Sequence, residues 1–218
     1  MCRIAAFSSS HDIPIKPFLE KLSLMAKSGK KSPHPDGWGY FALNERGIVS
    51  VVRSDEAIFE REIRSTFKAS ILVAHARKAS KGTPKTADQS HPLILLKDDL
   101  IVLAHNGLLK DAKKSFLGLD TEDIILEIGE KGVDRAIENL LKRRFSAINL
   151  VFFKKGLLYA LRCARKNLDY YTLFLKSSED SVIIYSERME EGMEELENGE
   201  MIVARKGKVV ERRRWECG

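Results

Sequence analysis

The sequence predicts an α+β protein in which helices pack against antiparallel β-sheet. Short apolar runs with strand character lie towards both ends of the chain, whereas apolar residues in its middle recur at helical spacing. Neither a repeat nor a low-complexity linker interrupts the 218 residues. A chain of this length can bury a substantial core, and we expect a single domain over residues 1–218.

The first half alternates strands with amphipathic segments. Residues 15–27 place Phe18, Leu22 and Met25 on one face and stop before Gly29, which predicts a helix. Residues 58–63 have a similar apolar spacing and predict a second helix. Strand-like runs lie at residues 3–7, 40–43, 48–52, 71–76 and 100–104. The segment 78–92 is rich in Lys, Thr, Ser and Pro, and we expect a loop of functional length.

The second half adds two helices and further strands. Residues 121–128 and 133–141 have helical spacing. Short β-rich runs follow at 148–153, 157–162, 171–175, 182–185 and 201–204. The cluster at 211–215 is explained by an exposed, solvated tail at least as well as by a partner site.

Composition gives little support for a protein that binds nucleic acid or spans a membrane. The net charge is +6, but the basic residues are scattered among 31 acidic ones, so no concentrated basic face is predicted. No apolar run approaches the ~20 residues that span a bilayer, and no signal-peptide pattern opens the chain, so we expect a cytoplasmic protein. The three cysteines, Cys2, Cys163 and Cys217, suggest free thiols in a reducing compartment.

Cys2 directly follows the initiator methionine. Removal of Met1 would leave a thiol and an α-amine on one residue, with ordinary pKa values of ~8.5 and ~8. A proton can pass between such groups at neutral pH, which makes the residue a nucleophile with its own base. The alternative is a small buried hydrophobic residue in a first strand.

Two polar clusters follow. Gly37 and Trp38 belong to an Asp-Gly-Trp-Gly segment, whose glycines let backbone approach a ligand or turn sharply. Arg77 ends a predicted strand and Ser80 follows it, so a guanidinium and a hydroxyl can hold a carboxylate there. An ordinary turn and a surface ion pair are the alternatives.

Two more clusters end the series. Asn106 and Gly107 can present a side-chain amide and a backbone N–H to one point, as an oxyanion hole does, although Asn-Gly is also a hairpin signal. Asp120 opens a predicted helix, where an aspartate caps backbone N–H groups. Its second oxygen could also hold a substrate ammonium.

In order and spacing, these clusters resemble the glutaminase domain of the class II, N-terminal-cysteine glutamine amidotransferases. The resemblance implies the four-layer αββα sandwich of the N-terminal-nucleophile hydrolases. It implies that Cys2 attacks the amide of glutamine with its α-amine as proton shuttle, and that Asn106 and Gly107 form the oxyanion hole. It further implies that Arg77, with Ser80 beside it, binds the glutamine α-carboxylate.

The resemblance also implies that Asp120 holds the α-amine of glutamine. The Cys2-Arg3 start and the Asp-Gly-Trp-Gly segment look most like short, stand-alone members and γ-glutamyl hydrolases. Better-known synthases carry Arg-Trp-Ala-Thr-His-Gly where this chain has Lys78 and Lys81 in place of the Trp and His. The contacts that hold the substrate therefore differ in detail from those of the synthases, and Lys81 could contact another carboxylate.

Three functions remain open from the sequence. The favoured one is a cysteine amidohydrolase acting on glutamine or a γ-glutamyl compound. The others are a catalytically silent, amino-acid-binding regulatory subunit with the same fold, and a basic nucleic-acid-associated domain. Without a GxxxxGK loop or a Rossmann fingerprint, we expect any synthase partner to be a separate chain. The histidine spacing predicts no metal, and we expect no cofactor.

Overall fold

The structure is a computed structural model that describes residues 2–80, 82–113 and 116–218, and it contains two antiparallel sheets. The strands are, in chain order, β1 (Arg3–Pro14), β2 (Trp38–Leu43), β3 (Val49–Ser54), β4 (Lys68–Ala76), β5 (Leu93–Leu96), β6 (Leu100–Leu109), β7 (Phe145–Lys154), β8 (Leu157–Leu161), β9 (Phe174–Ser177), β10 (Ser181–Tyr185), β11 (Glu194–Glu195), β12 (Glu200–Arg205) and β13 (Lys208–Arg214). The first sheet has the order β11-β9-β10-β1-β4-β2-β3 and the second β13-β12-β8-β7-β6-β5. The α+β class predicted from the sequence is confirmed.

The described residues form three α-helices beside the sheets: α1 (Lys16–Ser28), α2 (Asp120–Lys131) and α3 (Val133–Leu141). All three were predicted, and α1 buries the face that carries Leu22 and Met25. No helix among the described residues is long and apolar enough to cross a bilayer.

The core consists of separate apolar clusters. One joins the two sheets and includes Ile4 and Val73 from the first and Val102 and Val151 from the second. A second cluster lies between α1 and the first sheet, and a third between the second sheet and helices α2 and α3. Burial of such apolar area supplies the main favourable term in folding.

The register of β1 fixes where the chain's beginning lies. β1 pairs with β4 so that Arg3 faces Ala76 and Ile4 faces His75, and β2 pairs with the other edge of β4, Trp38 facing Ala76. Cys2 directly precedes β1 and Arg77 directly follows β4. The two residues are therefore held beside each other at paired strand ends.

The predicted helix at residues 58–63 is wrong. The segment forms a single 3-10 turn, Ile58–Glu60, and the backbone is extended at Arg61. Ile58 is completely buried against the α1 side of the sheet, whereas Phe59 is only partly buried. One buried anchor supports one turn, and tertiary packing overrides the periodicity of so short a segment.

The predicted solvated tail is also wrong. Residues 208–214 form β13, which pairs with β12 at the edge of the second sheet. Arg212 forms ion pairs with Glu194 and Glu200, and Arg214 with Glu197. The arginine cluster is thus paired within the chain, which removes the main support for nucleic-acid binding.

The cysteines depart from the expectation of three free thiols. Cys163 and Cys217 form a disulfide across 54 residues, with Cα atoms 5.7 Å apart. The two residues meet because β8 and the C-terminal segment after β13 flank β12 in the same sheet. Cys2 is the free cysteine of the described chain, and it is buried. Two of the three cysteines therefore give no support for a reducing compartment.

Candidate active site

The start of β1, the ends of β4 and β6 and the start of α2 meet around one cleft of about 460 Å³. The residues singled out from the sequence that line it are Cys2, Arg77, Ser80, Gly107 and Asp120. Polar residues that follow apolar strands are thus brought to one edge of the two sheets. A concave site of this size can enclose a small organic molecule.

Cys2 is held in place from both sides of its backbone. Its N–H donates to Asn106 Oδ1 at 2.8 Å, and its carbonyl accepts the Tyr170 hydroxyl at 3.5 Å. The next residue, Arg3, is fully buried, stacks on the Tyr170 ring at 4.7 Å and pairs with Glu187 at 2.5 Å. The first residues of β1 are therefore fixed relative to the cleft.

Asn106 has one satisfied and one unsatisfied end. Its Oδ1 accepts the Cys2 N–H, while its Nδ2 is buried and has no hydrogen-bond partner among the described residues. A buried donor left unpaired costs about 1–3 kcal/mol, so its presence calls for an explanation. An oxygen bound beside Cys2 would provide the missing acceptor.

Gly107 follows Asn106 at a point where the backbone of β7 lies very close to that of β6. A Cβ at this position would overlap the carbonyl oxygen of Ala147 and approach the His105 ring. A glycine is needed for this strand pairing, which holds Asn106 opposite Asn149. Gly107 therefore positions Asn106 and also lines the cleft.

Arg77 is anchored with donors to spare. Nη1 donates to the Pro84 carbonyl at 3.0 Å and Nη2 to Gln89 Oε1 at 3.2 Å, and only 4% of the residue is exposed. A guanidinium has five N–H donors, so others remain for an anion in the cleft. Ser80, which also lines the cleft, is exposed. Lys81 lies outside the described residues, as does Met1.

Gly37 and Trp38 are not among the described residues that line the cleft, and Asn106, which accepts the Cys2 N–H, is not among them either. The substrate contact of Gly37 and Trp38 stays a prediction. The Gly37 carbonyl accepts the Arg77 backbone N–H at 2.8 Å. Gly37 has φ of +110°, and a Cβ there would overlap the Ser90 hydroxyl. Trp38 packs in β2 beside Tyr40. The turn therefore supports Arg77.

Asp120 is tied to β6 rather than to its own helix. Its Oδ2 accepts the Leu109 N–H at 2.7 Å, whereas Glu122 accepts the N–H of Leu119 at the helix start. The predicted capping role of Asp120 is therefore wrong, because the strand end takes the carboxylate oxygen that a cap would use. The side chain still faces the cleft with its partly exposed carboxylate.

His105 is a site residue that the sequence did not single out. It lines the cleft, and its Nδ1 lies 3.2 Å from Thr121 Oγ1 and 3.7 Å from Asp120 Oδ2. Burial lowers the pKa of His105, but the Asp120 carboxylate, the Ala147 carbonyl and Cys2 together raise it by more, so the net pKa is raised. Burial raises the pKa of Asp120, but His105 and the Leu109 N–H bring it down to about 2. Each of the two groups therefore favours the charged form of the other.

Two further histidines lie behind this pair and are neutral. His91 Nδ1 is 3.2 Å from His75 Nε2, which in turn is 3.3 Å from the His105 carbonyl. Burial lowers the pKa of His75 to about 3 and that of His91 well below its ordinary value. Among the described residues, no His, Cys, Asp and Glu side chains are grouped so that three could hold a metal ion.

We expect Asp120→Asn to lower the pKa of His105, because the carboxylate that raises it is lost while burial persists. NMR titration of the His105 ring measures this directly. The pair's stabilisation through His105 is present below the ordinary pKa of 6.5 and is lost as pH rises through the raised value. The part due to Asp120 is present above 3.8 and is lost as pH falls through about 2. An unchanged His105 pKa in the variant would contradict the pairing.

A sequence model of the glutamine amidotransferases of class II matches residues 1–143. The chain belongs to this family. The resemblance found in the sequence motifs is thereby confirmed. An uncharacterized protein of Methanocaldococcus jannaschii is a relative, 27% identical over 238 aligned positions that cover 87% of this chain and 66% of the relative.

Solved amidotransferase structures share the fold. The glutamine phosphoribosylpyrophosphate amidotransferase of B. subtilis, solved with ADP and GMP, is 16% identical with a TM-score of 0.71, over 98% of this chain and 49% of that one. A predicted glutamine amidotransferase from Pseudomonas aeruginosa PA01 is 19% identical with a TM-score of 0.62, and the match covers 96% of this chain and 100% of that one. The chain thus spans about half the length of the B. subtilis enzyme and 66% of the length of the Methanocaldococcus jannaschii relative.

Proposed function

We propose that this family member hydrolyses the γ-amide of glutamine, or of a γ-glutamyl compound, through Cys2. One observation carries the proposal: the Asn106 amide that accepts the Cys2 N–H also keeps a buried Nδ2 donor without a partner in the described chain. A donor prepared beside a nucleophile is what a developing oxyanion requires.

The proposed reaction requires Cys2 to be the first residue of the mature chain. Its α-amine takes the thiol proton, and the sulfur attacks the γ-carbonyl carbon to give a tetrahedral oxyanion that Asn106 Nδ2 and the Gly107 N–H stabilise. The C–N bond then breaks as the α-ammonium returns the proton to the leaving nitrogen, and ammonia or an amine departs. Water, activated by the same amine, attacks the thioester and releases the γ-carboxylate and the thiol.

Arg77 and Asp120 would orient the substrate. The spare N–H groups of Arg77 suit an α-carboxylate, the ionised Asp120 suits an α-ammonium, and Ser80 supplies a hydroxyl at the same edge. Positioning of this kind raises the rate by holding the amide in line with the sulfur. The released ammonia would be available to a separate synthase subunit.

The proposal extends to the architecture. One apolar cluster lies between the two sheets, and one lies between each sheet and the helices on its outer side. This arrangement supports a four-layer αββα sandwich of the N-terminal-nucleophile type. We also propose that residues 1–218 form one glutamine amidotransferase domain.

Release of glutamate and ammonia tests the function. The chain that begins at Cys2 is compared with a matched chain that keeps an uncleavable residue in front of Cys2. We expect equimolar products from the first and none from the second, because acylation of the α-amine removes the base. Glutamine binding without turnover in the processed chain would instead support the silent binding subunit.

Replacing Arg77 with lysine is expected to raise KM for glutamine by roughly 10-fold or more with a smaller change in kcat. A lysine keeps the charge but has no planar fork to hold both Gln89 and a carboxylate. Steady-state kinetics measure the changes in KM and kcat separately. Arg53→Lys serves as the control, because Arg53 also donates to a backbone carbonyl, that of Pro92, but does not line the cleft. A KM equal to that of the unaltered chain would remove Arg77 from substrate binding.

A further inference from the structure

The lining of the cleft carries more positive charge than glutamine can use. Its described basic residues are Arg77, Lys78, Lys110 and Lys113, and its described carboxylate is that of Asp120. Glutamine is a zwitterion with one carboxylate and one ammonium, which Arg77 and Asp120 suffice to match. The lysines therefore lack a counterpart in a bound glutamine.

Lys110 and Lys113 also lack acidic partners among the described residues. Both are exposed, and neither ammonium has a hydrogen bond or an ion pair with any residue the structure describes. The nearby carboxylates of Asp111 and Asp123 are occupied by Arg143, at 3.2 and 2.8 Å. The local fold thus places two ammonium groups at the cleft while Arg143 pairs with Asp111 and Asp123.

The carboxylate of Glu122 is engaged as well. It accepts the N–H groups of Leu117 and Leu119, at 2.9 and 3.3 Å. Lys78, which also lines the cleft, donates to the Lys31 carbonyl and adds its positive charge to that of the other lysines. A cleft lined by one sign of charge concentrates ligands of the opposite sign and speeds their capture.

We infer that the substrate is a γ-glutamyl compound that carries an additional anionic group, a carboxylate or a phosphate, which Lys110 and Lys113 bind. This inference rests on the proposed function and names its substrate class. The cleft, at about 460 Å³, is within the range that encloses ligands larger than an amino acid. The reaction is the hydrolysis described above, with the anion-bearing amine as the leaving group.

The test uses matched pairs of amides. γ-Glutamylglycine is compared with γ-glutamylglycinamide, and γ-glutamyl-phosphoethanolamine with γ-glutamylethanolamine, each assayed for glutamate release by the chain that begins at Cys2. We expect kcat/KM to be roughly 10-fold higher for the anionic member of at least one pair, and the preference to shrink at high salt. The pair with the larger ratio identifies carboxylate or phosphate.

Charge-reversed variants locate the effect. Lys110→Glu with Lys113→Glu is expected to abolish the preference, measured as the ratio of kcat/KM between the anionic and the neutral member of each pair. Lys208→Glu, an equally exposed lysine on β13, serves as the control and should keep the preference. Glutamine hydrolysis with equal rates on the paired amides would overturn this inference and leave the proposed function intact. No hydrolysis of any compound would overturn both.

Discussion

The Cys2→Ala variant is expected to lose at least ~10³-fold in glutamine turnover, because no other described residue of the cleft offers a thiol to form the thioester. Binding should survive the change. Arg77 and Asp120, which carry the proposed contacts with the amino-acid end, remain in place, so the dissociation constant for glutamine should stay within about twofold. Turnover is measured by glutamate release and binding by calorimetry.

A matched control is provided by the other two cysteines. Cys163→Ala with Cys217→Ala removes the disulfide and leaves the cleft lining untouched. We expect this variant to unfold at a lower temperature but to keep its turnover per folded molecule. If the Cys2→Ala variant keeps its turnover, Cys2 is not the nucleophile.

The Asn106→Ala variant is expected to lower kcat by roughly 10²–10³-fold with little change in KM, as removal of an oxyanion donor does. The loss arises in the transition state, where the carbonyl oxygen takes on charge and needs the Nδ2 donor. Asn106→Asp separates the two ends of the side chain. It keeps an acceptor for the Cys2 N–H but has no amide donor, and we expect it to be as slow as the alanine variant.

Asn149 is the control for Asn106. It faces Asn106 across the β6–β7 pair, its Oδ1 accepts the Cys163 N–H at 2.9 Å, and its Nδ2 is likewise buried without a partner among the described residues. Asn149→Ala should reduce stability by about 1–3 kcal/mol without a selective loss of kcat. An equal kcat loss in both variants would assign the Asn106 effect to general damage of the β6–β7 pair.

The residues that the sequence singled out lie close together in the fold. Cys2, Arg77 and Asp120 line one cleft, and Asn106 accepts the Cys2 N–H. They could be named from the sequence because each polar residue adjoins an apolar run and the order of the motifs matches a family. The position of Gly37 could not be predicted, because the same glycine conformation serves contact with a ligand and support of a neighbouring strand.

Features that depend on distant partners escaped sequence reasoning. His105 lies in an apolar strand, where a histidine is indistinguishable from a core residue until Asp120 is placed beside it. Arg212 of β13 resembled part of a solvated tail because its partners, Glu194 in β11 and Glu200 in β12, lie 18 and 12 residues away in the sequence. Tertiary contact, which local patterns do not encode, decided both cases.

The central claim is that Cys2 is a processed, N-terminal nucleophile in a glutamine-shaped cleft. Intact mass spectrometry before and after exposure to diazo-oxo-norleucine, a glutamine-shaped electrophile, tests it most directly. We predict a mature chain that lacks Met1 and gains a single adduct, mapped to Cys2 and suppressed by excess glutamine. A chain that retains Met1, or an adduct that forms elsewhere while Cys2 stays unmodified, would contradict the account.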